Sequence, residues 1–162
     1  MEPRPERIVR ELELAPNPEG GWFRLTHAST CTTDADPTRP VLTTIYYLLS
    51  AEHPLCYLHL TGADTIHFFH HGAPMEVHVL TPAGELRRHT LGSAPGQHLQ
   101  LMVPGGCWKA FALPAGAYSL ISEAVVPGWI AADQRSAEPS LIEGLAEPVR
   151  ARLVRFVRRA LP

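Results

Sequence analysis

The stretch from Leu55 to Gly92, "LCYLHLTGADTIHFFHHGAPMEVHVLTPAGELRRHTLG", decides the fold. Aromatic, β-branched and aliphatic residues come in short runs, and turn formers stand between them at Thr61-Gly62, Gly72-Ala73-Pro74 and Pro82-Ala83-Gly84. Runs this short, bounded by glycine and proline, read as strands rather than helices. The last break predicts a hairpin over residues 74–92.

Working outward, the same texture continues on both sides. Downstream, "HLQLMVPGG" (98–106), "CWKAFAL" (107–113) and "AYSLISEAVV" (117–126) supply further β segments. Upstream, "VLTTIYYLLS" (41–50) is nearly continuous in hydrophobicity, as a buried strand is, and "NPEGGWFRLTH" (17–27) leads from a Gly-Gly turn into an aromatic strand. Between these two, "STCTTDADPTRP" (29–40) is polar and proline-bounded, an exposed loop. The ends differ. "ERIVRELEL" and "EPVRARLVRFVRRALP" show apolar spacing of three and four, predicting helices over about 5–14 and 146–161. The arginines of the second read as a solvated face with cations near a helix C-terminus. About eight short strands between two helices predict an all-β antiparallel jelly roll: one domain over 1–162, its core over about 17–135. A barrel of this size holds one small ligand.

Composition narrows the function. The chain has 162 residues with a formal net charge of -2, which gives no electrostatic basis for nucleic-acid binding. No apolar run approaches the roughly 20 residues that span a bilayer, so no membrane partner is expected. Cys31, Cys56 and Cys107 are odd in number and form no CxxC pair; with no signal peptide, this predicts reduced thiols in the cytoplasm. Nine histidines, six of them from His59 to His89, mark the middle of the chain as chemically dense. Lys109 is the only lysine, and it falls in an apolar strand just after Pro104-Gly105-Gly106.

"PNPEGGWFRLTH", "LTTIYYLL", "LHLTGADTIHFFHHGAP", "MVPGGCWKAF" and "VVPGWIAADQ" occur in the order seen in one branch of the cupin superfamily, long catalogued as a domain of unknown function. The resemblance covers about residues 7–135. It implies a cupin-type double-stranded β-helix, often a homodimer, in a superfamily that includes metal-dependent oxygenases, metal-free epimerases and isomerases, and binding proteins. The usual cupin metal site takes three histidines and a glutamate from two motifs. The resemblance places those four positions at His59, Thr61, Thr65 and Lys109, so one ligand of four survives. An ammonium cannot ligate while protonated and repels a cation. No metal or other cofactor is therefore expected at this standard site. A rearranged set of His59, His67 and Glu123 is the alternative.

Strand alternation places Thr65, His67 and Phe69 on one face, and Cys107, Lys109 and Phe111 on another, and the resemblance implies that both faces point inward. Glu123 interrupts a strand otherwise free of charge, and a pairing with Lys109 would satisfy both. His59, His67, Lys109 and Glu123 are thus the expected catalytic residues. Tyr46, Thr61, Thr65, Phe69, Cys107, Phe111 and Tyr118 are the expected ligand contacts. The predicted activity is metal-independent general acid/base chemistry of the isomerase, epimerase or lyase type, on a small polar carbonyl compound such as a modified sugar or biosynthetic intermediate. Ligand binding without turnover is the second reading. Schiff-base formation at Lys109 and an activated Cys107 thiolate are weaker ones.

Overall fold

The computed structural model describes residues 4–158. In chain order the elements are α1 (Pro5–Glu11), β1 (Ala15–Pro16), β2 (Trp22–Ala28), β3 (Thr43–Ser50), β4 (Leu55–Leu60), β5 (Asp64–Gly72) and β6 (Met75–Leu80). Then come β7 (Leu86–Leu91), β8 (Gln100–Val103), β9 (Trp108–Ala112), β10 (Tyr118–Val126), β11 (Arg135–Ser136), α2 (Pro139–Glu143) and α3 (Glu147–Leu153). The strands form two antiparallel sheets, ordered β1-β2-β3-β10-β5-β8 and β11-β4-β9-β6-β7. Strands distant in sequence lie side by side, as β10 does between β3 and β5. This is the expected all-β jelly roll with short flanking helices.

Three apolar clusters hold it. Between the sheets lie Tyr47, Leu49, Met75, Val77, Leu91, Phe111 and Ile121. On the outside of the five-stranded sheet, Leu58, Ala110 and Ala112 pack against Ile142, Leu153 and Phe156 of the C-terminal segment. On the outside of the six-stranded sheet, Leu48 and Tyr118 pack against Ile8 and Leu14, with Tyr46 at the edge. Both faces of β3 are therefore covered, which explains its continuous hydrophobicity.

The helices depart from expectation. The N-terminal helix stops at Glu11, before Leu14. The C-terminal one runs over Glu147–Leu153 and tightens into a 3-10 turn over Val154–Phe156; positions 159–161 of the expected helix lie outside the described residues. α2, only five residues long, is too short to show a periodicity in sequence. Among the described residues no helix is long and apolar enough to cross a membrane.

A candidate active site between the two sheets

One end of the barrel opens into a cavity of about 330 Å³. Its polar part is built from two cross-strand rows, one on each sheet. On the five-stranded sheet, Ser136 pairs with His59, His59 with Lys109, and Lys109 with Val79. On the six-stranded sheet, Leu25 pairs with Ile45, Ile45 with Glu123, and Glu123 with His67. Register therefore places His59 beside Lys109, and Glu123 beside His67. A register shift in β4 between Cys56 and His59 lets both face the cavity despite their odd spacing.

Lys109 is 1% exposed, and its Nζ crosses between the sheets to donate to Thr65 Oγ1 at 2.8 Å. Burial lowers its pKa, while Glu123 and Cys56 act the other way. Burial also raises the pKa of Glu123, against the pull of Lys109. The expected direct ion pair between the two does not form. Lys109 takes the hydroxyl of Thr65, and Glu123 Oε1 lies 3.6 Å from His67 Nε2.

The two histidines are held neutral, each in one tautomer. His59 Nδ1 lies 2.9 Å from the Tyr57 carbonyl, which can only accept, so Nδ1 carries the hydrogen. Burial, reinforced by the Lys109 charge, pushes the His59 pKa down to about 3. Its Nε2 is thus a bare lone pair, without a partner among the described residues and not sealed from the cavity. His67 Nδ1 lies 3.2 Å from the Leu101 carbonyl by the same logic, and burial holds this pKa well below the usual range. Its Nε2 is buried, has no hydrogen-bond partner among the described residues, and faces Glu123. A carboxylate there would oppose lone pair to lone pair. Burial disfavours the charge of both groups, and at 3.6 Å they face each other without a hydrogen bond.

The upper wall is formed by Phe23, Leu25, Ile45, Val125 and Trp129, with Glu19 and Gln134 among them. Gly20, at φ +105°, lets the chain turn so close that a Cβ there would sit 2.2 Å from the Leu55 carbonyl. That turn brings Glu19 to the cavity, where it accepts from Ser136 Oγ at 2.7 Å and Gln134 Nε2 at 3.1 Å.

Of the expected site residues, His59, Thr61, Thr65, Lys109 and Glu123 line this cavity. His67 stands behind Glu123. Five expected ligand contacts do not line it. Tyr46 and Tyr118 point out of the barrel, toward α1, because even-numbered positions of β3 and β10 face outward. Phe69, Cys107 and Phe111 point inward but are absorbed into the packed core, Phe111 beneath the rings of His59 and His67. Tyr47, one residue from Tyr46, is the inward tyrosine, and it donates to the Gly20 carbonyl at 2.7 Å. Sequence reasoning missed the rim of Glu19, Phe23, Leu25, Ile45, Val125, Trp129 and Gln134. The signal for several of them lay in the "PNPEGGWFRLTH" and "VVPGWIAADQ" segments already singled out.

All four positions of the usual cupin metal site converge on this cavity. Their side chains do not fit a divalent cation: one imidazole, two neutral hydroxyls and an ammonium that already uses one of those hydroxyls. Among the described residues no three His, Cys, Asp or Glu side chains gather to hold a metal.

A jelly roll with these four positions turned to one cavity defines a cupin. Residues 6–137 match the family described as Cupin superfamily (DUF985), and the chain belongs to it. It is 32% identical over 142 residues to the uncharacterized protein YML079W of Saccharomyces cerevisiae, spanning 76% of this chain and 70% of that one. Among solved structures, protein SO0799 from Shewanella oneidensis superposes with a TM-score of 0.90 at 27% identity, covering 98% of this chain and all (100%) of that one. A hypothetical protein from Leishmania major gives 0.88 at 26% identity, over 97% and 100%.

Proposed function

We propose that the chain is a metal-independent cupin enzyme that moves a proton at the carbon next to a carbonyl in a small metabolite. The observation that carries the reading is the cross-strand pairing of a buried ammonium with a neutral imidazole whose free nitrogen faces the cavity. The carbonyl oxygen sits at Lys109 Nζ. His59 Nε2 takes the α-proton, the C–H electron pair becomes the C=C bond of an enolate, and negative charge collects on the oxygen beside the ammonium. A lysine acidified by burial is a stronger hydrogen-bond donor to that oxygen. As charge grows there, it offsets the field of Lys109 that disfavours a proton on His59. His59 then returns the proton it took, to the same carbon or the next, and Glu123, set beside His67 on the facing sheet, is the second proton carrier of the cavity. Net protons balance. His67 is a positioning residue.

Proton NMR in deuterium oxide tests this on a panel of 2-oxo acids and ketoses. Enzyme-dependent exchange of the α-proton is expected, falling at least ~100-fold in both His59→Asn and Lys109→Met, the range general acid/base catalysis contributes. Exchange at the parent rate in both folded variants would remove these residues from the mechanism. Ligand binding without turnover uses the same cavity and predicts saturation with no exchange in any variant.

A further inference from the structure

The two rows that build the floor also set what the ligand's other end must be. Following the six-stranded row away from Glu123, the side chains become Ile45 and then Leu25. Phe23, Val125 and Trp129 complete an apolar wall around the same opening. Leu25 is 55% exposed and Trp129 45%, and both line the cavity. Large apolar side chains left open at the mouth of a polar-floored cavity are the mark of a ligand that covers them.

None of the five wall side chains offers a free hydrogen-bonding group. Four are hydrocarbon, and the Trp129 indole N–H already donates to Gln134 Oε1. Glu19 and Gln134, the polar side chains among them, are already engaged with each other, with Trp129 and with Ser136. A polyhydroxylated sugar laid along this wall would therefore lose hydration at most of its hydroxyls without a replacement partner, which is costly. An alkyl or aryl group gains there instead. The polar demand is concentrated at the floor, on Lys109 and His59, where one carbonyl or carboxylate group meets it.

From this we infer that the substrate class is an amphipathic carbonyl compound: an oxo group, or oxo acid, carrying an apolar chain or ring, rather than a carbohydrate. The carbonyl goes to Lys109 and the apolar part runs along Ile45 and Val125 to Leu25 and Trp129. The inference rests on the proposed acid/base reading for the orientation of the head group, but its own content is the apolar tail.

Calorimetric titration of the full chain with a straight-chain series separates the two. The probes are pyruvate, 2-oxobutyrate, 2-oxopentanoate and 2-oxohexanoate, with D-glucose and D-fructose as the carbohydrate arm. Affinity should rise with each methylene, up to about four-fold per group as full transfer of one CH₂ from water gives. Neither sugar should saturate. Leu25→Asn, at an exposed position, should flatten the series, and Trp129→Ala should do the same, with melting curves confirming that both fold. A flat series, no binding by any 2-oxo acid, tighter binding of either sugar, or a series untouched by both variants overturns the inference. A rising series without α-proton exchange would instead sink the acid/base mechanism and leave the apolar-tail assignment standing.

Discussion

Acid should destabilise this protein through His59 by an amount the structure sets. His59 is 8% exposed and held neutral, with a folded pKa near 3 against an ordinary value of 6.5. The folded pKa lies below the unfolded one, so the unfolded chain binds more protons in that window. The contribution to stability is complete above pH 6.5 and is lost as pH falls toward 3. Each pH unit inside the window costs about 1.4 kcal/mol. From pH 7 to pH 5, His59 alone removes about 2 kcal/mol. His67 adds loss of the same sign, because its pKa is also depressed by burial. Glu123 acts oppositely, since burial raises its pKa and the folded state takes up its proton more readily than the unfolded chain as pH falls. Comparing parent with His59→Asn cancels those shared contributions, and the asparagine amide keeps a donor for the Tyr57 carbonyl. In urea unfolding followed by tryptophan fluorescence, the parent midpoint should fall by about 1 M more than the variant midpoint between pH 7 and pH 5, for a urea slope near 2 kcal/mol/M. Parallel shifts would mean that His59 is not held neutral by the fold, and the assignment of its Nε2 as a free base would fall with it.

Lys109→Met should fold and be at least as stable as the parent at pH 7, because it removes a desolvated charge at nearly constant volume. In the same variant the His59 titration, followed by NMR, should move up, since Lys109 lowers that pKa. Phe156→Ala removes a fully buried ring that packs on His78 and holds the C-terminal segment to the sheet; a loss of about 3–5 kcal/mol in chemical unfolding is expected. Gly20→Ala meets both the positive φ and the Leu55 carbonyl. It should lower stability by more than ~1 kcal/mol and weaken 2-oxo acid binding by displacing Glu19, checked by melting and calorimetry together.

The architecture was legible because turn chemistry and short runs are local signals. The Pro104-Gly105-Gly106 turn is part of the family motif, so alternation counted from that motif put Lys109 and Phe111 inside. The tyrosine error arose where that signal vanishes. In β3 the outer face is covered by α1 and the inner face by the core, so "IYY" carries no polar mark of which ring points in. Charge pairing was read from proximity in sequence segments, but pairing is decided by register. Glu123 stands opposite His67 on its own sheet, and Lys109 meets Thr65 across the barrel. The apolar rim comes from β2, β3, β10 and the loop beyond it, segments far apart in the chain. Nothing local gathers them.

The bond from Lys109 to Thr65 joins β9 of one sheet to β5 of the other. Its two ends occupy positions from the two different motifs of a metal-binding cupin. The barrel thus keeps a fixed set of sockets, and chemistry changes by exchanging what is plugged into them while the scaffold stays put. An engineer wishing to restore a cation would rewrite Thr61, Thr65 and Lys109 and leave every strand untouched.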